Sequence, residues 1–376
     1  AERLHSAQPH PAARRTMSVC PPAARFLLAA FAAAALSAQD EGSLSSRRDL
    51  SKLRGIELRY PRDKDRPVAS VDGRELTLGD LVRHMTERHA PEFDAFLSTP
   101  AGNLYFQERL PADWVRQFAD VVALRAEARY REVPAERLER KLAEAAEQGF
   151  NAWLEEFERK RRDQGVTAAL SEERKASLRA RHARESGLAL ERQGLLDALT
   201  PDLDNIGLDA AHWFHREYPR YFGGVVHLAH ILVYDRHPVT GQLLVEEDRA
   251  KAQALVAEIK ARLNPDGSNF EEVARLMSED RRSGQRGGVL RNVSRFDSRL
   301  PPSVTRAAWD MADGEWRGPI ESSFGQHFVK RISYTHYAFF LITETTLPKV
   351  RTVMRQKLQE DAMLEIRERH RVQLLF

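Results

Sequence analysis

Apolar residues recur at helical spacing over the stretch 111–200, which predicts a series of long helices. The periodic positions are Trp114, Val115, Phe118, Val121 and Val122, followed by Phe150, Trp153, Leu154 and Phe157. Pro134 and Ser171 stand where helices could start, and Gly149 and Gly165 where helices could break. Aromatic stripes of this kind normally face a core, and the alternative is a groove for a bound polypeptide.

Both ends of the chain carry further periodic signals. Near the start, the apolar stretch 68–71 meets Asp72 and Gly73, a pair that favours a two-residue hairpin turn. Thr77 and Asp80 then predict a capped helix start. Near the end, an apolar residue recurs every fourth position, which predicts one helix with a single apolar face: Val350, Met354, Leu358, Ala362 and Ile366.

The composition is that of an ordinary soluble globular protein. The 376 residues are 42% hydrophobic and 30% charged, with a formal net charge of +3. That length allows two or three domains. No basic stripe interleaved with aromatic residues appears, so a nucleic-acid partner is not expected. The motifs typical of serine hydrolases, zinc proteases and nucleotide-binding proteins are also absent from the sequence.

The N-terminal segment predicts export. Phe26–Leu36 is an apolar run of eleven residues, which is too short to span a bilayer but suits a signal peptide. Cleavage near Ala38 would give a periplasmic or secreted protein, and Met17 is a candidate start that would exclude residues 1–16. The alternative is a buried or disordered alanine-rich helix. Cys20, the one cysteine, precedes the run, so a mature chain would have no thiol or disulfide.

Two short apolar segments about a hundred residues apart each contain a histidine. Val225–Val233 reads VVHLAHILV, and the stretch 324–330 reads FGQHFVK. Between them lie FEEVARLMSED, ending at Asp280, and GGVL, ending at Leu290. This ordered set resembles the parvulin family of peptidyl-prolyl cis-trans isomerases. The five pieces are HILV, FEEVA, S-x-D, GG-x-L, and GPI followed by FG-x-H. In this order they are a specific signal, whereas each piece alone would be weak.

Within this parvulin-like stretch we predict a small antiparallel sheet with helices on its faces. Strands are expected at Val225–Val233, Pro319–Glu321 and His327–Ile332. Helices are expected from Glu246 to Leu263, from Asn269 to Met277 and after Pro302.

The opening VASVDGRELTLGDL, from Val68 to Leu81, resembles the N-terminal domain of exported parvulin-type chaperones of the SurA and PrsA kind. The resemblance implies an α+β protein with a helical chaperone-like domain, a parvulin-like domain and a C-terminal helix. The expected boundaries are a signal peptide at 1–38, a flexible leader at 39–66, a helical chaperone-like domain at 67–222, a parvulin-like domain at 223–335, and a C-terminal segment at 336–376 that packs on the N-terminal domain.

The resemblance also implies which residues form the site. His230 and His327 match the family's central histidine pair, and Asp280 takes a position that is aspartate in many bacterial members. These three are the predicted catalytic residues, and the predicted substrate-binding residues are Leu290, Leu300, Val304, Trp309 and Phe324. Two positions depart from the family pattern, because Val304 stands where a phenylalanine is usual and Leu300 where methionine is typical. A purely structural histidine pair, or an aspartate that only caps a loop, remains the alternative.

The first hypothesis is an exported prolyl isomerase that assists folding by binding the twisted form of the X–Pro imide bond. Its partners would be unfolded or newly exported proline-containing polypeptides, with no cofactor, no metal and no integral membrane span. The runner-up is a non-catalytic periplasmic holdase that uses the parvulin-like domain as a binding module. A structural envelope protein with a relic domain is a third possibility.

Overall fold

The computed structural model describes residues 48–109, 112–222, 224–239, 241–336 and 341–375. These residues form helices and two small antiparallel sheets, so the predicted α+β class is confirmed. The predicted signal peptide at 1–38, including Cys20, lies outside the described residues. No helix in the described ranges combines the length and the apolar character that crossing a bilayer requires.

The first part of the chain is a helical module that begins with a hairpin. Strands β1 (Pro67–Val71) and β2 (Arg74–Thr77) pair antiparallel. The helices that follow are α1 (Leu78–Arg88), α2 (Phe93–Leu97), α3 (Pro100–Arg109), α4 (Ala112–Tyr130), α5 (Ala135–Asp163), α6 (Glu172–Leu199) and α7 (Leu208–Glu217).

Local sequence signals explain how this module starts. Asp72 and Gly73 both have positive φ, 54° and 80°, as a tight hairpin turn requires. At the start of α1, the Thr77 side chain accepts a hydrogen bond from the backbone of Asp80, and the Asp80 carboxylate accepts one from the backbone of Thr77. This reciprocal cap satisfies two N–H groups at the helix start. Both sequence predictions are confirmed here.

Helices α5 and α6 form a long antiparallel pair, and one sequence prediction fails in it. Helix α5 runs through Gly149 without a break. A Cβ on Gly149 would lie 2.3 Å from Leu190 Cδ2 on α6, so this glycine permits close helix packing. Phe150 is buried beside it, whereas Trp153 and Phe157 are only half-buried. The aromatic stripe is therefore partly core and partly accessible surface.

The C-terminal helix α12 (Leu347–Arg369) packs on this helical module. Its Met363 and Ile366 belong to the same buried cluster as Val115. Arg367 on α12 donates two 2.7 Å hydrogen bonds to the buried carboxylate of Asp120 on α4. Strand β7 (Gln373–Leu374) then pairs with β1 and completes a three-stranded sheet in the order β2-β1-β7.

The described part of the predicted flexible leader, residues 48–66, is instead held against the rest of the protein. The Arg48 guanidinium binds the buried carboxylate of Glu279 with N···O distances of 2.8 and 2.7 Å. Leu53 and Leu58 are buried. The polar composition of the segment predicted flexibility, because the few residues that hold it are widely spaced in the sequence. The prediction of a flexible leader is therefore corrected for residues 48–66.

The parvulin-like part contains a four-stranded antiparallel sheet in the order β4-β3-β6-β5. Its strands are β3 (Gly224–Tyr234), β4 (Val289–Val293), β5 (Trp316–Glu321) and β6 (Gly325–His336). Its helices are α8 (Glu246–Arg262), α9 (Phe270–Met277), α10 (Arg281–Gly284) and α11 (Pro302–Asp310). The sequence analysis predicted three of these strands and missed β4.

The two faces of this sheet have separate cores. Ala229, Ile231 and Val233 face α8 and α9 and join the cluster around Phe270. Val226 and Leu228 belong to the cluster that contains residues of α11. Because side chains alternate along a strand, His230 projects from the same face as Leu228.

Candidate active site

His230 and His327 lie on the two central strands of the sheet. His230 on β3 pairs in register with Val329, and His327 on β6 pairs with Leu232, so the histidines are diagonal neighbours. Their rings are nearly parallel, with an interplanar angle of 16° and centroids 5.8 Å apart. Their exposed fractions are only 4% and 1%. The structure therefore brings the predicted histidine pair together.

Asp280 completes the predicted trio through contact with His230. Its Oδ2 lies 3.0 Å from His230 Nε2, and Ser283 Oγ lies 2.9 Å from the same nitrogen and also contacts Oδ2. The other oxygen, Oδ1, accepts hydrogen bonds from the backbone N–H groups of Arg282 and Ser283 at the start of α10. One carboxylate oxygen thus caps a helix while the other faces the histidine.

These contacts fix the charge of the site. A hydrogen bond from His230 lowers the pKa of Asp280 well below its usual range, even though burial opposes ionisation. Burial, together with the nearby His230, lowers the pKa of His327 to about 3. Near neutral pH the site therefore contains an ionised carboxylate at its edge and an uncharged imidazole in its interior.

Each histidine also has an unsatisfied nitrogen. His327 Nε2 lies 2.8 Å from Ser322 Oγ, and His230 Nε2 is used by Asp280. The Nδ1 atoms of both rings are buried and have no hydrogen-bond partner within the described part of the chain. Buried polar atoms are normally satisfied, so these two nitrogens are a polar feature that packing alone does not explain.

The glycine pair before β4 lets the chain approach the site closely. Gly287 and Gly288 have φ values of 70° and 75°, a region that side chains disfavour. The backbone N–H of His230 donates to the Gly288 carbonyl at 3.0 Å. A Cβ on Gly288 would lie 2.1 Å from the carbonyl oxygen of His230. Glycine is therefore needed where this loop crosses β3.

Residues that the sequence analysis did not assign hold the Asp280 loop in place. Ser278 Oγ accepts from the backbone N–H of Leu232 at 3.2 Å, and Glu279 accepts from the N–H of Tyr234 at 2.7 Å. Arg48 neutralises Glu279 from outside the domain. The S-x-D motif could have identified Ser278, but nothing local points to Arg48, which is 231 positions away.

The predicted substrate-binding residues divide into exposed and buried groups. Phe324 is 45% exposed and lies in the bend just before β6, and Leu290 is half-buried. Leu300 is 9% exposed. All except Phe324 belong to the cluster on the α11 face.

Val304 and Trp309 differ from the expectation of a ligand-contacting surface. Their exposed fractions are 0% and 3%, and Trp309 Nε1 donates to the Arg220 carbonyl at 3.2 Å. Because they project from the inner face of α11, they lie beneath the surface in this structure. The sequence analysis placed them correctly on a helix but did not reveal their burial.

A cavity of about 1140 Å³ lies between α11, β5 and the helical module. Ser322, which contacts His327, lines it together with Pro302 and Phe296 from the parvulin-like part. Arg116 and Met363 line its other side. The cavity is large enough for several residues of an extended peptide.

One cluster in the described residues has the composition of a metal site, and it lies away from the predicted trio. His84, His89 and Glu191, all in the helical module, have ligand-type atoms within 4.8 Å of one another. The pair His212 and His215 on α7 is not part of any such group among the described residues.

The fold and site together define a class of protein. Residues 230–333 match the family model described as Rotamase, PPIC-type PPIASE domain. This stretch contains His230, Asp280 and His327. The chain therefore contains a PpiC-type, or parvulin-type, peptidyl-prolyl isomerase domain, which confirms the resemblance seen in the sequence.

The curated relatives are foldases. The chain is 25% identical to foldase protein PrsA of Clostridium kluyveri over 233 residues, which cover 59% of this chain and 61% of that protein. It is 34% identical to PrsA of Clostridium acetobutylicum over 112 residues, or 30% of this chain and 28% of that protein. The match to the first relative thus spans 61% of its length.

Solved structures with partial similarity carry the same name. PrsA of Streptococcus pneumoniae is 16% identical, covers 79% of this chain and 88% of its own, and gives a TM-score of 0.30. PrsA of Bacillus anthracis is 15% identical, covers 67% of this chain and 96% of its own, and gives a TM-score of 0.27.

Proposed function

We propose that this chain is a parvulin-type peptidyl-prolyl isomerase that assists the folding of exported proteins. The observation that carries the proposal is the convergence of His230, Asp280 and His327. The proposal is supported by the 3.0 Å contact between His230 and Asp280 and by the 5.8 Å separation of the two histidine rings.

Catalysis here would require no covalent step. Rotation about the imide bond crosses a barrier of about 18–20 kcal/mol because amide conjugation is lost. A site that binds the twisted imide more tightly than either planar form lowers this barrier. The ionised Asp280 supplies a fixed charge next to the changing dipole, and His230 holds that carboxylate. Neutral His327 stacks on His230 and sets its orientation.

The apolar part of the site would hold the proline ring. Phe324 is the exposed aromatic side chain beside the trio, and Leu290 and Leu300 supply aliphatic surface. Val304 and Trp309 are buried in the same cluster as Leu290 and Leu300 and would support these two side chains by packing. Because Val304 and Trp309 are buried and offer a ligand little surface, a modest rate enhancement is expected.

Client chains would reach the site through the cavity of about 1140 Å³. Ser322 joins its wall to His327, so a polypeptide lying there could place an X–Pro bond beside the histidine pair. In this proposal the helical module and the C-terminal segment bind unfolded or newly exported chains. The boundaries 67–222, 223–335 and 336–376 stay predictions within it.

The decisive experiment follows cis-to-trans conversion of a proline tetrapeptide. The wild-type chain should accelerate it, and His230→Ala should return the rate to background. His227→Ala is the matched control, because His227 lies on the same strand outside the trio. Equal rates in wild type and His230→Ala, with both proteins folded, would remove this site assignment.

A second function is favoured by the burial of Val304 and Trp309. Without an open prolyl slot the domain would act as a binding module, and the protein would be a holdase. It would then suppress aggregation of an unfolded client at stoichiometric ratios without changing the tetrapeptide rate. Light scattering of a refolding client, run beside the isomerase assay, separates the two functions.

Export is part of the proposal and has its own test. A periplasmic or secreted location requires cleavage of the N-terminal segment near Ala38. Expression of the full gene, followed by fractionation and N-terminal sequencing of the mature protein, should find a start close to residue 39. An uncleaved protein that stays in the cytoplasmic fraction would contradict export.

A further inference from the structure

A second cavity, of about 360 Å³, lies inside the helical module. The end of α1, helix α4 and the helix pair α5/α6 border it. Cavities of this size suit one or two amino-acid side chains. It lies apart from the histidine pair of the isomerase domain, and its lining combines cations with apolar groups.

The apolar lining comes from the α5/α6 pair. Leu142 and Phe150 on α5 and Leu190 on α6 contribute to it. The Arg179 guanidinium lies 4.2 Å from the centroid of the Phe150 ring. An apolar ligand group in this cavity would therefore contact apolar side chains and lie close to the Arg179 guanidinium.

The lining of this cavity contains more positively charged than negatively charged side chains. Arg88, Arg125 and Arg179 line the cavity, and Glu191 is the one acidic residue in its described lining. Arg179 pairs with Glu147, but both side chains are about half exposed, at 51% and 55%. A pair so exposed is weak, so Arg179 can be shared with a ligand.

Glu191 offsets the charge of Arg125 but not that of Arg88 or Arg179, because its carboxylate is already bound by other side chains. His84 Nε2 and His89 Nε2 lie 2.7 and 2.8 Å from its Oε2. Arg125 donates to its Oε1 at 2.8 Å. Only 3% of the side chain is exposed. The cavity therefore presents cationic donors to a ligand without a free carboxylate to repel an anion.

His182 adds a buried ring nitrogen to the lining of the cavity. Its exposed fraction is 6%, and its Nε2 has no hydrogen-bond partner among the described residues. The ring lies 5.9 Å from Phe150 and 5.2 Å from Trp153, centroid to centroid. An unsatisfied imidazole nitrogen in the lining of a cavity marks a position where a ligand oxygen could bind.

The alternative occupant, a divalent metal ion held by His84, His89 and Glu191, fits less well. Arg125 already places a positive charge on the carboxylate that would serve as a ligand. The 2.7 and 2.8 Å contacts to Glu191 are hydrogen-bond distances, and a tetrahedral zinc site would have to separate these atoms by roughly half an ångström. The repulsion by Arg125 and the need to move the ligand atoms apart both disfavour a bound metal ion.

We propose that this cavity binds a carboxylate that an unfolded client chain carries next to an apolar side chain. Arg88, Arg179 and His182 would hold the carboxylate, and Phe150 and Leu190 would contact the apolar group. The inference deepens the proposed function, since it rests on the helical module binding clients. The carboxylate comes either from the C-terminus of the client or from an acidic side chain.

The test measures peptide binding by isothermal titration calorimetry with the full chain. The probes are a hexapeptide ending in leucine and phenylalanine with a free α-carboxylate, its C-terminal amide, and an amide with an internal aspartate before the phenylalanine. At least one carboxylate-bearing peptide should bind about tenfold more tightly than the neutral amide, and comparing the two acids identifies the source of the carboxylate. Equal affinity for all three peptides would overturn the proposal.

Variants then locate the site. Arg179→Gln should weaken binding of the acid peptide about fivefold or more, and so should His182→Phe, which keeps the aromatic packing but removes the nitrogen. Arg181→Gln is the matched control, because Arg181 is an exposed arginine on the same helix that pairs with Glu185. Unchanged binding in both test variants, with helical content preserved, would also overturn the proposal. If the wild-type chain binds the acid peptide but does not accelerate proline isomerisation, the isomerase proposal is wrong and the proposed carboxylate site stands.

Discussion

The isomerase domain and the helical module each place two histidines beside a carboxylate, but they treat the polar atoms differently. In the helical module, Glu191 is 3% exposed and receives bonds from His84, His89 and Arg125. In the isomerase domain, Asp280 keeps 28% of its side chain exposed. Both of its neighbouring histidines, His230 and His327, have a buried Nδ1 without a described partner.

The difference separates a buried, fully bound carboxylate from a partly exposed one whose neighbouring histidines each keep a nitrogen without a described partner. Glu191 joins α1, α4 and α6, so its charge stabilises the contact of three helices. Asp280 joins one strand to one short helix and stays partly exposed. Residue types alone would not distinguish the two clusters, whereas the satisfaction of each polar atom does.

The largest expected effect is on stability and comes from Glu191→Ala. Removing this carboxylate leaves the Arg125 guanidinium and two imidazoles unpaired in a largely buried place. Loss of one partner of a buried ion pair costs about 3–5 kcal/mol. Urea denaturation, followed by circular dichroism of the helices, should show that drop in the free energy of unfolding.

Asp280→Ala is the comparison variant for that experiment. It removes a helix cap at a more exposed site, which costs about 1 kcal/mol. If Glu191→Ala and Asp280→Ala lower the free energy of unfolding equally, the proposed contrast between the buried Glu191 cluster and the partly exposed Asp280 cluster is wrong.

The next largest effect is a pH dependence that belongs to His327. Its pKa falls to about 3 in the folded state, from an ordinary value near 6.5. Between these values the unfolded chain binds a proton that the folded chain does not, so stability falls as the pH drops. From pH 6.5 to 5.0 the loss should be about 2 kcal/mol.

His327→Phe should remove this part of the pH dependence while keeping a ring beside His230. Urea midpoints at pH 6.5, 5.75 and 5.0 for wild type and variant provide the comparison. His212→Phe, on the exposed side of α7, controls for removing any histidine. Parallel pH profiles for wild type and His327→Phe would show that the buried imidazole is not titrating as described.

A smaller effect, on rate rather than stability, is expected for Asp280→Ala in the isomerase assay. Loss of the charge beside the imide should lower kcat/KM for a proline tetrapeptide about tenfold, or about 1.4 kcal/mol of transition-state stabilisation. Glu191→Gln, which keeps the shape of the side chain, should leave this rate near wild type. A rate unchanged by Asp280→Ala would make that residue a cap only.

The smallest effect is expected for Ser283→Ala. The Ser283 hydroxyl contacts both Asp280 and His230, but each retains other partners. Removing one such hydrogen bond costs about 1 kcal/mol, and the isomerase rate should fall only severalfold. Urea unfolding and the tetrapeptide assay on one preparation check both values. A rate loss larger than that of Asp280→Ala would move the main role to the serine.

The sequence analysis selected residues that lie close together in the fold because the signals for them are local. The HILV segment carries His230 on a strand, and the S-x-D motif carries Asp280 into the following turn. The cluster around Glu191 was missed because His84 and Glu191 are 107 residues apart. No local pattern relates a histidine on one helix to a carboxylate on another.

The missed features of the fold have similar causes. Strand β4 carries exposed Arg291 and the positive-φ Asn292, so it lacks regular alternation. Gly149 resembles a helix breaker in isolation, but its contact with Leu190 gives the bare backbone a packing role. The segment from Arg48 is polar in composition, and a distant carboxylate, Glu279, holds it.

The pairing of β7 with β1 determines the order in which the parts of this chain can complete folding during synthesis. Residues 224–336 are contiguous, so the isomerase domain has all its strands as soon as that stretch emerges from the ribosome or a membrane pore. The core around Val115 must wait for Met363 and Ile366, and β1 for Leu374. During synthesis the parvulin-like domain therefore has all its strands while the helical module still lacks its C-terminal partners.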